Sequence, residues 1–309
     1  MRAAAILGQG CSEKALKPFE IGSSISWQIG LPNNPGEADA ILLFGGDGTI
    51  HRHLGELVRL QLPLLVVPSG SGNDFAHALG LRRQRNARAA WQSFLKHRSN
   101  VRTIDLGVIT PLCREEAQET EQEKEMLKPC GALSYFCSVA GIGLQAEVTS
   151  RANRLPRWLR GNGGYAFALP AAMRHFAPQR MNILISNETD HWTAFTDQPA
   201  TLAAIANTAT FGDGMKIAPN ADPSDGKLDI CVIEAIDPFK LFCLFPTVYF
   251  GRHLGVKEVK YAQAARIRLQ TESPLDLYAD GEYICQTPAE LSVQIAALQV
   301  IVPENQTCP

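Results

Sequence analysis
The chain has 309 residues, 45% hydrophobic and 19% charged, enough for a substantial core and for two domains of ordinary size. Its 29 basic and 31 acidic residues leave a formal charge of −2, which excludes the basic domain a nucleic-acid partner would require; an anionic surface must meet a local cluster. No run approaches the roughly 18 apolar residues of a membrane span, and the eight cysteines show no C-x-x-C pair, so free thiols in a cytoplasmic chain are expected.

In chain order, Ala3–Leu7 is too short for the apolar part of a signal sequence and reads as a first strand. Ala40–Phe44 and Leu62–Val67 are further apolar runs, and between them Ile50, Leu54, Leu57 and Val58 repeat at helical spacing over Ile50–Leu60. Strand, glycine turn, helix, strand is a βαβ unit, whose parallel sheet is covered on both faces. A helix over Ala87–Lys96 and a strand over Val101–Ile104 follow. Composition shifts near Asp105, and the acidic stretch Arg114–Glu125 is expected to be a solvated excursion between strands. Strands are then expected at Leu133–Ala140, Arg180–Ser186, Leu202–Asn207, Leu228–Glu234, Arg266–Gln270, Leu275–Tyr278 and Leu291–Val302, with helices near Gly163–His175 and Pro238–Phe250. The expected architecture is an α/β N-terminal domain, with a parallel sheet flanked by helices, over residues 1–105, with 290–309 returning to it. A mostly β, sandwich-like C-terminal domain covers residues 106–289.

Two turns carry the chemistry. Phe44-Gly45-Gly46-Asp47-Gly48-Thr49 joins a buried strand to a helix, and three glycines there let backbone N–H groups approach a polyanion. Asp47 cannot bind phosphate directly and is expected to meet a metal on the phosphates or to fix the loop; Thr49 is expected to cap the helix. A plain turn is the competing reading. The second turn, Pro68-Ser69-Gly70-Ser71-Gly72-Asn73-Asp74-Phe75, repeats the strand–turn–helix pattern one βαβ step later. In a parallel sheet, both turns fall at the same carboxyl edge, where ligands bind. Gly45, Gly46, Gly48, Thr49, Gly70, Ser71 and Asn73 are therefore the candidate nucleotide-binding residues. Neither turn is a Walker A loop or a G-x-G-x-x-G dinucleotide turn.

The pair resembles the diacylglycerol kinase catalytic-domain family, which includes bacterial lipid kinases and the sphingosine and ceramide kinases. Residues 45–49 match its Gly-Gly-Asp-Gly-Thr turn, and residues 68–75 match its second turn with Ser71 in place of Thr. NAD kinases and phosphofructokinases share the first turn only. Asp105-Leu106-Gly107, Gly141-Ile142-Gly143, the stretch from Phe211 to Asp229, and Asp280-Gly281-Glu282 are similar to later family motifs. The resemblance implies an NAD-kinase- or phosphofructokinase-like first domain, ATP as co-substrate and Mg²⁺. It also implies Asp280 as the base that takes the proton of a lipid hydroxyl, with Asp47 assisting, and Asp105, Asp225 and Glu282 in a metal-centred network. Diacylglycerol is the first expected substrate. An NAD-kinase-like enzyme and a non-catalytic nucleotide- or lipid-binding relative are the alternatives. The family's opening Asn-Pro turn is replaced here by Gly8-Gln9-Gly10-Cys11-Ser12.

Expected partners are a nucleotide and a lipid at a membrane surface, met peripherally and transiently from the cytoplasmic side of the inner membrane, with a homodimer left open. Arg151, Arg154, Arg157 and Arg160 surround Trp158 and suit an anionic surface, although a solvated loop fits the same residues. Arg82, Arg83, Arg85 and Arg88, after the second turn, could attract the nucleotide.

Overall fold
The computed structural model describes residues 1–20, 25–114, 127–156, 164–188, 191–212 and 214–304. Its first half contains β1 (Arg2–Leu7), β2 (Ser26–Ile29), β3 (Ala40–Gly45), α1 (Asp47–Leu60), β4 (Leu64–Pro68), α2 (Asp74–Ala78) and α3 (Gln84–His97). Strands β2, β1, β3 and β4 lie side by side and parallel. Every residue of β3 and β4 is buried, as expected of apolar strands covered on both faces. Helix α1 turns Ile50, Leu54, Leu57 and Leu60 inward, and α3 turns Ala87, Ala90, Trp91 and Phe94 inward. Trp91 satisfies its indole by donating to the Phe19 carbonyl (3.0 Å).

The expected strand at Val101–Ile104 is the start of a longer one, β5 (Val101–Arg114). Next come β6 (Leu127–Pro129), β7 (Ser134–Phe136), β8 (Val139–Gly143), α4 (Leu144–Asn153), α5 (Gly164–His175), β9 (Gln179–Ser186), β10 (Thr193–Ala206) and β11 (Leu228–Glu234). The chain ends with α6 (Pro238–Val248), β12 (Val259–Ala264), β13 (Arg266–Thr271), β14 (Asp276–Ala279), β15 (Glu282–Gln286) and β16 (Ala289–Ile301). The halves share one sheet, ordered β15-β14-β8-β10-β9-β13-β16-β4-β3-β1-β2. β5 and β16 pair antiparallel from Ala289↔Pro111 to Ile301↔Val101, and Val300 also pairs with Leu64 of β4. Ala297, Leu298, Val300, Ile301 and Val302 thus pack into the first core, while Ala289 and Leu291 belong to the second.

Three local expectations change. The single strand at Leu133–Ala140 is broken between β7 and β8, because the N–H groups of Cys137 and Ser138 leave the ladder to bond the Asp280 carboxylate. Free cysteines throughout were expected, but Cys113 and Cys130 form a disulfide. The β5–β6 ladder brings them together although 17 positions separate them in sequence. This bridge closes the base of the acidic excursion, whose residues 115–126 lie outside the described residues. Thr49 is not a helix cap: the cap position of α1 is Gly46, and Thr49 packs its side chain under Gly45.

Candidate active site
The two glycine turns touch. A Cβ placed on Gly70 would lie 2.4 Å from the Gly46 Cα, and one on Gly46 would lie 2.8 Å from the Gly70 Cα. Backbone therefore meets backbone at this edge of the sheet, an approach only glycine permits. The same constraint acts one layer below, where a Cβ on Gly45 would meet the Thr49 side chain at 2.6 Å.

Asp47 ties the turns together. Its Oδ2 accepts from the Asp74 N–H and its Oδ1 from the Phe75 N–H, both at 3.1 Å. Those N–H groups open α2, so one carboxylate from the first turn caps the helix that follows the second. Burial raises its pKa, helped by the charge of Asp280, and the two backbone hydrogen bonds oppose that rise. Asn73 shapes the second turn: its amide donates to the Gly70 carbonyl (2.8 Å) and accepts from the Gly70 N–H (2.9 Å). Both residues are expected site residues, and in the structure both brace the loops. Gly45, Gly46, Gly48, Thr49, Gly70 and Ser71 line the cleft beside them; Asn73 does not.

The cleft measures about 390 Å³. Its opposite wall comes from the second half: Ser138, Val139, Gln145, Tyr165, Tyr278, Asp280 and Glu282. Asp280 and Gly281 form the two-residue turn between β14 and β15, both with positive φ, as an Asp-Gly hairpin requires. The Asp280 side chain folds inward and is fully buried, accepting from the Cys137 and Ser138 N–H groups at 2.8 Å each. His51 Nδ1 of α1 lies 3.5 Å from Asp280 Oδ2, linking the first half to the β14–β15 turn. Burial depresses the His51 pKa, but the neighbouring Asp280 carboxylate, with the charge of Glu282, outweighs it and leaves the pKa raised. Glu282 is exposed, and its Oε1 is 3.0 Å from where a Gly48 Cβ would stand, directly over the first turn.

Of the expected metal set, Glu282 lines the cleft, whereas Asp105 meets the backbone beside Asp225 away from it. Asp105 is buried at the crossover between halves, where its oxygens accept from the Gly226 and Ala296 N–H groups (2.8 Å each). Ala296 has a φ of 54° at the irregularity in the β5–β16 ladder, so Asp105 fastens a bulge. Asp225 accepts from the Lys227 N–H and the Gln263 amide. Neither lines the cleft that holds Glu282, and among the described residues no three His, Cys, Asp or Glu side chains are grouped to hold a metal ion. Asp213 lies outside the described residues; Asp222 is a turn residue that pairs with Arg102 (2.6 Å). Arg82, Arg83, Arg85 and Arg88 are exposed and line no part of the cleft. Arg151 pairs with Glu147 (2.6 Å), and Arg157, Trp158 and Arg160 are outside the described residues.

Sequence reasoning missed an apolar pocket that adjoins the cleft and shares Gln145, Tyr165 and Phe211 with it. Leu144, Val148 and Leu169 enclose it with Leu202, Met215 and Ile217, and Leu241, Leu244, Phe245 and Val248 of α6 close it. Gln145 stands at the junction, 7% exposed, its Oε1 buried without a hydrogen-bond partner among the described residues. The spacing of Leu144, Val148 and Ala152 was the available signal for α4, the helix that carries it.

Comparison with known proteins agrees with this geometry. Residues 31–109 match the diacylglycerol kinase catalytic domain, and residues 138–302 match the YegS C-terminal NAD kinase beta sandwich-like domain. A diacylglycerol kinase of Mycobacterium tuberculosis is 34% identical over 267 residues, 86% of this chain and 78% of the relative. A diacylglycerol kinase of Bacillus subtilis is 24% identical over 272 residues, covering 87% and 80%. The crystal structure of a diacylglycerol kinase from Bacillus anthracis shares the fold, with a TM-score of 0.63, 17% identity, and coverage of 98% and 97%. No helix among the described residues is long and apolar enough to cross a membrane. Two adjoining glycine turns, a β-rich second half and these matches together show that the chain belongs to the diacylglycerol kinase family and is a kinase, with ATP implied as co-substrate.

Proposed function
We propose that this kinase transfers the γ-phosphoryl group of ATP to the hydroxyl of a lipid, diacylglycerol first among candidates, at the cytoplasmic face of a membrane. The observation that carries the reading is the junction of cleft and apolar pocket. A polyphosphate over the Gly46–Gly70 contact leaves room for a hydroxyl near Glu282 and Gln145, while its hydrocarbon enters the pocket beneath α6.

Phosphoryl transfer needs in-line positioning, stabilisation of charge and a base for the attacking hydroxyl. Asp280 is the base implied by resemblance, but its side chain is fully buried while its oxygens accept the Cys137 and Ser138 N–H groups, so its remaining lone pairs are less open to a hydroxyl than those of an exposed carboxylate. A base needs a lone pair facing the hydroxyl it serves. Glu282, exposed above the first turn, supports that role better, and Asp280 fits a positioning residue that holds the β14–β15 turn and His51. The unpartnered Gln145 Oε1 at the junction supports a hydrogen bond from the acceptor lipid. Mg²⁺ favours oxygen ligands and retains several waters. Glu282, the exposed carboxylate of the cleft, would be the side chain able to meet it beside the triphosphate.

The test is phosphorylation with labelled ATP and Mg²⁺ of diacylglycerol, a sphingoid base and phosphatidylglycerol in mixed micelles, beside NAD. Label in diacylglycerol supports the reading. Label in NAD and in no lipid overturns it.

A further inference from the structure
The outer surface of the helices that close the apolar pocket is itself apolar. Four of the large hydrophobic side chains exposed among the described residues lie here: Phe167 on α5 (62% exposed), Phe239 and Phe242 on α6 (76% and 56%), and Phe250 just beyond it (72%). Helix α6 buries Leu241, Leu244 and Val248 on one side and presents Phe239, Phe242, Cys243 and Pro246 on the other. Both stripes follow helical spacing, and Lys240 is the only charged residue from Pro238 to Phe250. A helix apolar all round belongs in a core or in lipid, yet this one stands at the surface. Its 11 residues reach about 16 Å, too short for roughly 30 Å of hydrocarbon. It can lie in a membrane interface and cannot cross it.

We propose that the outer face of α5 and α6 docks on an anionic lipid bilayer, with Phe167, Phe239, Phe242 and Phe250 entering the acyl boundary. This rests on the lipid-kinase reading and adds to it the surface through which the substrate is collected. Two observations select a membrane as the occupant. The helices that carry the exposed phenylalanines also wall the pocket, α5 with Tyr165 and Leu169 and α6 with Leu241, Leu244 and Phe245. One layer of helix therefore separates the exposed phenylalanines from the pocket. The exposed charges on and just after these helices are mostly basic: Arg174 on α5, Lys240 on α6, and Arg252 and Lys257 beyond it, against Asp237 and Glu258, and Glu258 is engaged by Lys240 (2.7 Å) and Lys257 (3.8 Å). Interfacial helices with aromatic residues on one face and basic neighbours bind anionic lipid in this manner. A second copy of the chain would bury the same side chains, and the experiment separates the two.

The full-length protein and F242E/F250E are compared by sedimentation with vesicles of phosphatidylglycerol and phosphatidylcholine, by molar mass in solution, and by turnover of a water-soluble short-chain diacylglycerol. Neither substituted residue lines the cleft or the pocket, so short-chain turnover reports that the variant is folded. We expect unchanged short-chain turnover and molar mass, with vesicle partitioning lower by about tenfold or more and vesicle-borne turnover falling with it. Vesicle binding equal to wild type overturns the proposal. So does a wild-type dimer that ignores vesicles and becomes monomeric in F242E/F250E, because the face then covers a second copy. Vesicle binding that depends on these residues in a protein that phosphorylates no lipid supports the docking face while refuting the lipid-kinase reading.

Discussion

Replacing Gly70 by alanine tests the feature on which the site is built. The new Cβ would stand 2.4 Å from the Gly46 Cα and 2.9 Å from the Gly46 nitrogen. Carbon–carbon contact becomes favourable near 3.5 Å, so the turns must part by about 1 Å, and no side chain can rotate away to relieve it. Overpacking of this kind costs about 1–3 kcal/mol of stability. A displacement of about 1 Å at reacting groups costs on the order of 10²-fold in rate, equivalent to about 2.7 kcal/mol of transition-state stabilisation. The assay is kcat/KM for ATP at saturating lipid, beside urea unfolding of the same preparation. Gly55 is the control, since it lies in α1 and a Cβ there would meet nothing within 4 Å. G55A should keep full activity and gain about 0.5–1 kcal/mol of stability. A folded G70A enzyme with more than half the wild-type kcat/KM would refute the argument that the two turns share one phosphate site.

The remaining predictions divide the acidic wall. E282Q should unfold like wild type while kcat falls by about 10²–10⁴-fold; D280N should lose stability as well, by about 1–3 kcal/mol, because an amide offers one acceptor to two buried N–H groups. A D280N protein as stable as wild type but inactive would restore Asp280 as the base. His51 has a raised pKa in the fold, so its contribution is complete below its ordinary 6.5 and fades as pH rises through the folded value. The stability gap between wild type and H51N should therefore be widest in mild acid and narrow toward alkaline pH; a gap that grows with pH would reverse the assignment. Q145L removes the buried Oε1 with little change of volume, so kcat/KM for the lipid should fall about tenfold while KM for ATP holds, as steady-state kinetics with each substrate varied will show.

Much of the first half was legible because its signals are local. Buried parallel strands read as unbroken apolar runs, and the spacing of Ile50, Leu54 and Leu57 gives α1 without reference to any neighbour. Glycine and aspartate in the two turns announced close backbone approach, though not what approached. What sequence concealed was the partner of each carboxylate. Asp47, Asp105 and Asp280 look alike as candidate site residues, yet each ends on backbone N–H groups distant in sequence: Asp74 and Phe75, Gly226 and Ala296, Cys137 and Ser138. Those pairings exist only after the halves have folded together. Exposed Glu282 in the same motif carried no distinguishing local signal. β12 and β15 were missed because Val259–Ala264 and Glu282–Gln286 are half-buried or polar along much of their length and gain their order from the strands beside them.

The pairing of β5 with β16 bears on how such enzymes can be divided. Leu298–Ile301, almost the last described stretch, runs next to β4 and fills the first core. A fragment ending at Asp105 would leave the edge of Leu64–Pro68 bare, an invitation to aggregate, and a fragment starting there would carry a greasy tail with nowhere to go. Gene fusions and circular permutations should therefore leave Ala289–Ile301 intact, since this late strand completes the architecture that β1 to β4 begin.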